Sequence, residues 1–514
     1  MKTYKLALTI TVLMLYLAGL IPTTQALQYK TYAIWKLNLE NQTIIRIQAI
    51  PDLDNDGIKE VFIASSAENN SYLYILSGRN GTILRTSGPL EYKIRDAVWV
   101  AGYIATSAIE EISIFDYRLV KIYTLPIFAS LNVRLQPLGN LFIALDIFNE
   151  EAPKLVAVNP RNGQIVWSIQ YSRFAVQSVF AFSEMVAVAF SNGSGCFVKI
   201  IDEGGEEKGS VRISVDRKDR GKIHISSYRD GLLFFKYMVD EEAYIGCINL
   251  KKPMRLCWTT KVDPHPKNLP LALGDANIDG IGDVVAVLNG KLALFSGKNG
   301  ELLYSTGLQM LYARCLQPIN EEGDKIAVMS DKGRIYLLSF RLLNYTLYWI
   351  LGNYTYMESL GDVDGDRLND IAITYGGEIS CLWGGYDQEK PKIYVIEPRN
   401  ATSTSNPLIV FRAEVKDKQS GVDRVSFIID DREYIAQYNP SLGVYEVSVI
   451  LRDGVHTWSV YAKDKVGYDS YTPSFHVVVN TSLMGGPGWI DDAAVLALTV
   501  ALLVASLYVS IKRW

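Results

Sequence analysis

Three short acidic segments carry the residues of this 514-residue chain best suited to chemistry. They read DLDNDGIKE from Asp52, DANIDGIGD from Asp275 and DVDGDRLND from Asp362. Oxygen side chains at alternating positions of a tight loop, with one more carboxylate near its end, can surround a single hard cation. The candidate ligands are Asp52, Asp54, Asp56, Glu60, Asp275, Asn277, Asp279, Asp283, Asp362, Asp364, Asp366 and Asp370. Because all are oxygen ligands, the segments predict Ca²⁺.

The acidic segments have two alternative interpretations. An EF-hand needs flanking helices, but each segment leads into a strand-like run, VFIAS, VVAVL or IAIT. Solvated acidic turns without metal are the second alternative. The recurrence of the acidic segment in three places, each time before a strand-like run, argues against it. We expect the ion to stiffen a turn between strands. Arg367 stands where the other copies have glycine, which predicts weaker binding or a strained turn.

The strands that position these segments repeat with a period of about 44 residues. The segments start 223 and 87 residues apart, close to five and two periods. Hairpins with Asn-Gly turns at Asn80, Asn162 and Asn299 follow the same period, and Asn-Gly supplies the positive φ angles of tight turns. Each period holds about four short strands, without a convincing amphipathic helix from Leu27 to Tyr386.

Repeated four-stranded units predict an all-β fold whose units are the blades of a ring. Counting from Ile45 gives seven full units and a partial one, and the segment KTYAIWKLNLE near the start could supply the missing strand. The prediction is an eight-bladed β-propeller over residues 27–388, with seven blades as the alternative. Alternating patterns over residues 391–480 predict a β-sandwich.

These motifs resemble known families. NGQIVW from Asn162 is similar to the PQQ-type repeat of quinoprotein propellers, and the acidic segments resemble the calcium-binding FG-GAP repeats of integrin α chains and microbial surface proteins. SGVDRVSFIIDD and LRDGVHTWSVYAKDKVGYDS resemble immunoglobulin-like modules of prokaryotic surface proteins. The resemblances imply a calcium-stabilised propeller displayed on an immunoglobulin-like stalk.

The two ends of the chain predict export and anchoring. Residues 1–26 have the basic start, apolar run and small-residue cleavage site of a signal peptide. A glycine-rich linker, 481–490, precedes a predicted transmembrane helix at 491–511, long enough to cross a bilayer. The basic tail at 512–514 is expected to be cytoplasmic, so the chain before the transmembrane helix would lie outside the cell. The anchor, the sequons and the few cysteines suit an archaeal surface.

Charge and cysteine content narrow the function further. With 51 basic and 55 acidic residues the chain is nearly neutral, so no nucleic-acid partner is expected. Five cysteines are too few for a disulfide-built scaffold. Cys247 and Cys257 lie equally far from the turn at Lys251 and Lys252, which predicts a disulfide across a hairpin, while the other three could be buried small hydrophobes.

Asn-x-Ser/Thr sequons are the candidate modification sites. They predict a glycosylated surface, with ordinary turns as the alternative. They lie at Asn41, Asn69, Asn80, Asn192, Asn344, Asn353, Asn400 and Asn480.

No catalytic residue is predicted. The four histidines stand outside any metal-ligand or nucleophile motif. The leading hypothesis is a membrane-anchored, single-pass extracellular binding or adhesion protein whose ligand, an extracellular protein or glycan, the sequence does not identify. A propeller-type envelope assembly factor and a quinoprotein-like or hydrolytic enzyme are the alternatives.

Overall fold

The computed structural model describes residues 31–481, apart from 109, 128, 130–133, 147–151, 172–175, 192–194, 214–220, 312, 319–324, 342–343, 352–353, 386 and 388. The chain divides into two compact units, Met1–Gln388 and Glu389–Trp514. The elements of the described residues are all β-strands, and none of these residues forms a helix able to span a membrane. The predicted signal peptide, transmembrane helix and tail lie outside the described residues, as does the linker beyond residue 481.

The described residues of the first unit form eight four-stranded antiparallel sheets, numbered here along the chain. Sheets 1 to 4 contain β2 (Thr43–Ile50), β3 (Glu60–Ser66), β4 (Ser71–Leu76), β5 (Ile83–Thr86); β6 (Asp96–Val100), β7 (Tyr103–Ser107), β8 (Ile112–Asp116), β9 (Lys121–Leu125); β10 (Gln136–Leu138), β11 (Leu141–Asp146), β12 (Lys154–Val158), β13 (Ile165–Gln170); and β14 (Val176–Phe182), β15 (Met185–Ser191), β16 (Cys196–Asp202), β17 (Glu207–Arg212). Sheets 5 to 8 contain β18 (Lys222–Arg229), β19 (Leu232–Val239), β20 (Glu242–Asn249), β21 (Arg255–Val262); β22 (Leu271–Ala272), β23 (Val284–Leu288), β24 (Lys291–Phe295), β25 (Leu302–Gln309); β26 (Ala313–Pro318), β27 (Lys325–Ser330), β28 (Ile335–Arg341), β29 (Asn344–Leu351); and β30 (Tyr356–Gly361), β31 (Asp370–Tyr375), β32 (Glu378–Leu382), with β1 (Ala33–Asn38) as fourth strand.

The middle strands of these sheets are apolar on both faces, whereas the fourth strands are largely exposed. β3 is buried along its whole length, and β23 is buried in four of its five residues. In β13, by contrast, no residue is buried. A middle strand covered by a neighbouring sheet on each side buries both faces, which explains its nearly continuous apolar run.

Each pair of successive sheets shares one buried apolar cluster, from sheets 1 and 2 through to sheets 7 and 8. Sheet 8 also packs on sheet 1, where Trp35 and Ile379 meet Ile47 and Tyr74. The sheets therefore follow one another in a closed series, so the first and last strands of this unit are neighbours.

Tryptophans of the fourth strands form hydrogen bonds with the next sheet. The Nε1 atom of Trp167 in sheet 3 donates a 2.8 Å hydrogen bond to the carbonyl oxygen of Glu203, in the hairpin turn of sheet 4. Trp258 in sheet 5 makes the same 2.8 Å bond to Gly297 in sheet 6. These residues give a physical reason for the tryptophan of the sequence repeat, because a buried indole needs a partner for its N–H.

Trp35 makes this contact where the series of sheets closes. Its Nε1 atom donates a 2.7 Å hydrogen bond to the carbonyl oxygen of Gly78. At Gly81, where φ is +72°, a Cβ atom would stand 2.6 Å from the Trp35 ring, so the turn accommodates only glycine there. β1 pairs with β32, and the N-terminal segment thus supplies the missing fourth strand, as predicted.

A β-bulge changes the register of the hairpin for which a disulfide was predicted. Cys247 lies opposite Trp258 and Ile248 lies opposite Leu256, so Cys257 is the extra residue of the bulge. Both cysteines are free, Cys247 buried and Cys257 exposed, which contradicts the predicted Cys247–Cys257 bond. Other fourth strands carry the same bulge, with the extra residue at Ile34, Leu84, Ile122, Val166, Lys208 and Leu303.

The second unit contains two sheets around one core. Phe411 and Phe427 contact Trp458, with ring centroids 5.1 and 6.1 Å from it. One sheet has the strand order β33 (Lys392–Glu397), β35 (Leu408–Lys416), β39 (Val444–Ile450), β38 (Gln437–Asn439). The other has the order β34 (Thr402–Thr404), β42 (Phe475–Val479), β40 (Gly454–Asp464), β36 (Val422–Ile429), β37 (Arg432–Ile435), with β41 (Asp469–Tyr471) also paired to β40.

Candidate metal loops

The three acidic segments form loops in equivalent places. Loop 1 (residues 52–60) connects β2 to β3, loop 2 (275–283) connects β22 to β23, and loop 3 (362–370) connects β30 to β31. Each therefore joins the first and second strands of its sheet, in sheets 1, 6 and 8. The periodicity predicted from sequence corresponds to this shared position.

The first carboxylate of each loop holds the loop backbone. Asp52 accepts hydrogen bonds from the N–H groups of Asn55 at 2.6 Å and Gly57 at 2.9 Å. Asp362 accepts the corresponding bonds from Gly365 and Arg367. Asp275 accepts N–H bonds from Asp279 and Gly280. The loop conformation is thus determined by its own side chains, and it places the other carboxylates.

The last carboxylate of each loop is buried. Glu60 is 1% exposed, and Asp283 and Asp370 are fully buried. Asp370 accepts N–H bonds from Val363 and Gly384, at 2.8 and 2.9 Å, which tie the loop to the far end of β32. Burial raises the pKa of Asp283 to about 6 and that of Asp370 to about 8. A cation beside such a carboxylate would favour its charged form.

Loops 1 and 3 bring three carboxylates together. One oxygen atom from each of Asp52, Asp54 and Glu60 lies within 4.8 Å of the others, and Asp362, Asp364 and Asp370 form the same arrangement. Oxygen atoms that each lie about 2.3–2.6 Å from one Ca²⁺ are at most about 5 Å apart. The residues present therefore fit a calcium ion in spacing and in chemistry.

The middle carboxylates Asp56 and Asp366 are not part of these clusters. The Nε atom of Arg79 donates a 2.6 Å hydrogen bond to Asp56, and the pKa of Asp56 is lowered by this bond. In loop 3, the Nε1 atom of Trp383 donates a 2.5 Å bond to Asp366. Sequence reasoning missed Arg79, although its place before the Asn-Gly turn at Asn80 was a usable signal.

Loop 2 has the same backbone arrangement with one charge fewer. Asn277 stands where the other loops have aspartate, and its Oδ1 atom accepts the N–H of Asp279 at 3.0 Å. Buried Asp283 accepts N–H bonds from Ala276 at 3.0 Å and from Gly297 at 3.1 Å. In the described residues, loop 2 does not bring three carboxylates within the distance seen in loops 1 and 3.

Three non-glycine residues of these loops, Asn55, Ile278 and Arg367, adopt a backbone conformation that suits glycine. The φ angle of Arg367 is +72°, as expected for the strained turn predicted there. Ile278, which sequence reasoning passed over, has φ of +62° at the place where loop 1 has Asn55 and loop 3 has Gly365. A left-handed conformation costs a residue with a Cβ atom roughly 1–2 kcal/mol, and a branched side chain tolerates it least.

Changing Ile278 to glycine is expected to raise the free energy of unfolding by about 1 kcal/mol, because strain is relieved while the exposed side chain gives up little burial. Chemical denaturation without added metal measures the change. Asn55→Gly is the matched control and should have almost no effect, because asparagine tolerates this conformation. A loss of stability in Ile278→Gly would contradict the assigned strain.

The predicted sequons are placed unevenly. Asn192 and Asn353 lie outside the described residues, and for Asn344, in β29, only the backbone is described. The others are exposed at turns or strand ends: Asn41, Asn69, Asn80, Asn400 and Asn480.

No family model matches the chain, and neither does any curated protein. Among solved structures, it is similar to BamB from Moraxella catarrhalis, with 12% identity, a TM-score of 0.48 and coverage of 68% of this chain and 99% of that one. It is also similar to the WD40 domain of Pan2 from Neurospora crassa, with 9% identity, a TM-score of 0.40 and coverage of 71% and 97%. The WD40 domain of coronin from Toxoplasma gondii is similar with 11% identity and a TM-score of 0.38, and the match covers 69% of this chain and 86% of that one. The closed series of four-stranded sheets makes the first unit a β-propeller.

Proposed function

We propose that this chain is a membrane-anchored extracellular binding protein with a calcium-stabilised, eight-bladed propeller followed by an immunoglobulin-like sandwich. The observation that carries the calcium proposal is the recurrence of one loop in three sheets, with carboxylates converging in loops 1 and 3. The extracellular location rests on the predicted signal peptide and transmembrane helix. Eight blades correspond to the eight sheets and the apolar clusters between them.

The role of the ion would be structural. Asp52, Asp54 and Glu60 would hold it in loop 1, and the carboxylates of loops 2 and 3 would do so in theirs. Bound Ca²⁺ supplies positive charge that offsets the repulsion between these carboxylates. The chain's own contribution is a preformed loop, because the first aspartate already holds the backbone by hydrogen bonds.

Apolar residues on the outer strands support binding of another macromolecule. Ile83 in β5, Ile122 in β9 and Ile165 in β13, from successive sheets, are 46%, 47% and 53% exposed. Apolar side chains repeated on the outer strands of successive sheets would offer contact area to a partner. The ligand we propose is an extracellular protein or glycan.

The same strands favour an envelope assembly factor as the second candidate. β5, β9 and β13 are the last strands of their sheets, so each leaves one edge without a neighbouring strand in its sheet. An extended segment of a partner could add to such an edge. Capture of unfolded substrates, rather than of one folded ligand, would distinguish this function from the first.

Thermal unfolding of the full chain in detergent, with Ca²⁺ or with chelator, tests the calcium proposal. We expect Ca²⁺ to raise the unfolding midpoint, because a ligand that binds only the folded state stabilises it. Asp54→Ala, Asp279→Ala and Asp364→Ala should each remove part of this rise, and the loop 2 variant should remove the least. Glu184→Ala, an exposed carboxylate outside the loops, is the control. Equal midpoints with Ca²⁺ and with chelator would overturn the proposal.

A further inference from the structure

The turn between β1 and β2 presents a sequon whose two functional side chains are both at the surface. Asn41 and Thr43 are exposed, and Asn41 has φ of +58° at the tip of the turn. The structure gives neither side chain a hydrogen-bond partner among the described residues. The amide nitrogen that would carry a sugar and the hydroxyl that identifies a sequon are therefore accessible together.

Both residues line a groove of about 440 Å³. Glu68 and Lys93 are exposed along it, and Ile45 adds apolar surface. A sugar ring presents hydroxyl groups at its edge and C–H groups on its faces, so this mixture of polar and apolar groups matches a saccharide. A glycan attached to Asn41 would begin inside this groove.

The neighbouring sequons of the propeller differ in the folded chain. In Asn69-Asn70-Ser71, the hydroxyl of Ser71 is fully buried and accepts a 2.8 Å hydrogen bond from a backbone N–H. In Asn80-Gly81-Thr82, the Oδ1 atom of Asn80 accepts bonds from both the N–H and the hydroxyl of Thr82, at 3.0 and 2.8 Å. A transferase acting on the folded protein would have to break these contacts at Asn69 and Asn80, but not at Asn41.

We infer that Asn41 is N-glycosylated in the folded protein and that the first sugars of its glycan lie in the adjoining groove. The donor is an oligosaccharide carried on a lipid phosphate. The Nδ2 atom of Asn41 forms a bond to the anomeric carbon of the sugar, the bond from that carbon to the lipid phosphate breaks, and the amide proton passes to the transferase. The inference rests on the extracellular location in the proposed function, but not on calcium.

Glycosylation of the purified full chain by an oligosaccharyltransferase with a lipid-linked oligosaccharide tests the site without requiring export. Peptide mass spectrometry should find sugar on Asn41 of the folded chain, and on Asn69 and Asn80 only after unfolding. Thr43→Val should abolish modification of Asn41, and Thr43→Ser should retain it. An Asn41 that is modified only after unfolding, or not at all, would overturn the inference.

The groove is tested by the rate at which an amidase releases the glycan from the folded, modified chain. Glu68→Ala combined with Lys93→Ala should make release several-fold faster, and Glu184→Ala should leave it unchanged. Equal release rates for the wild type and the double variant would contradict the placement of the first sugars in the groove. In protein isolated from its native source, an unmodified Asn41 after signal-peptide removal would overturn this inference alone, whereas retained residues 1–26 would overturn the proposed location as well.

Discussion

Replacing Trp35 by alanine is expected to lower the free energy of unfolding by about 3–5 kcal/mol. The side chain is 5% exposed, and its indole covers the turn at Gly81 while its N–H bonds to Gly78. Removing it leaves a cavity and a carbonyl group without its donor. Because β1 completes sheet 8 and packs on sheet 1, the loss falls where the series of sheets closes. Denaturant-induced unfolding measures the effect.

Two further variants make the Trp35 result specific. Trp35→Phe keeps an aromatic ring but removes the N–H donor, so it should lose about 1–2 kcal/mol. Trp167→Ala removes an equivalent tryptophan that is only partly buried, and should lose less than Trp35→Ala. A Trp35→Ala protein within 1 kcal/mol of the wild type, an amount typical of substitutions at the surface, would contradict the account of ring closure.

Replacing Lys236 by methionine is expected to stabilise the protein by about 2 kcal/mol at pH 7. Lys236 lies in β19, fully buried, and its ammonium group donates to the backbone carbonyl of His265. Burial lowers the pKa of Lys236 to about 8. Holding the charged ammonium group inside the protein costs roughly 3 kcal/mol of stability, which the methionine variant regains. The variant also loses the hydrogen bond to His265, which is worth about 1 kcal/mol, so the net gain is about 2 kcal/mol.

The pH dependence of Lys236→Met has a definite sign. Between pH 8 and the ordinary lysine pKa near 10.4, the folded state binds fewer protons than the unfolded state, so wild-type stability rises with pH across this window. The stability that Lys236→Met gains over the wild type should therefore shrink above pH 8 and vanish near pH 10.4. Lys222→Met, at an exposed position of the neighbouring strand β18, is the control. A gain that does not change with pH would contradict the buried charge as its cause.

The loops and the repeat could be predicted because they depend on residue types at fixed spacings. Aspartates at alternating positions have few uses other than holding a turn or a cation, and loops 1 to 3 recur in phase with the sheets. The missing fourth strand could also be predicted, since a sheet of three strands at the end of a repeat implies a partner elsewhere in the chain. β1 supplies it.

The contacts that sequence reasoning missed depend on small shifts of register or on tertiary structure. Counting residues from the turn placed Cys247 opposite Cys257, but the bulge shifts the pairing by one residue. Arg79 reaches Asp56 only because the turn between β4 and β5 lies beside loop 1. The positive φ of Ile278 runs against its own preference, and only the surrounding loop imposes it.

Counting the calcium ions bound to the purified full chain, by equilibrium dialysis against buffered Ca²⁺, tests the central claim most directly. The account predicts one ion for each of the three loops, one fewer in Asp54→Ala and in Asp364→Ala, and no loss in Glu184→Ala. A chain that binds no Ca²⁺, or that keeps all its ions in the loop variants, would contradict the claim that these loops hold calcium.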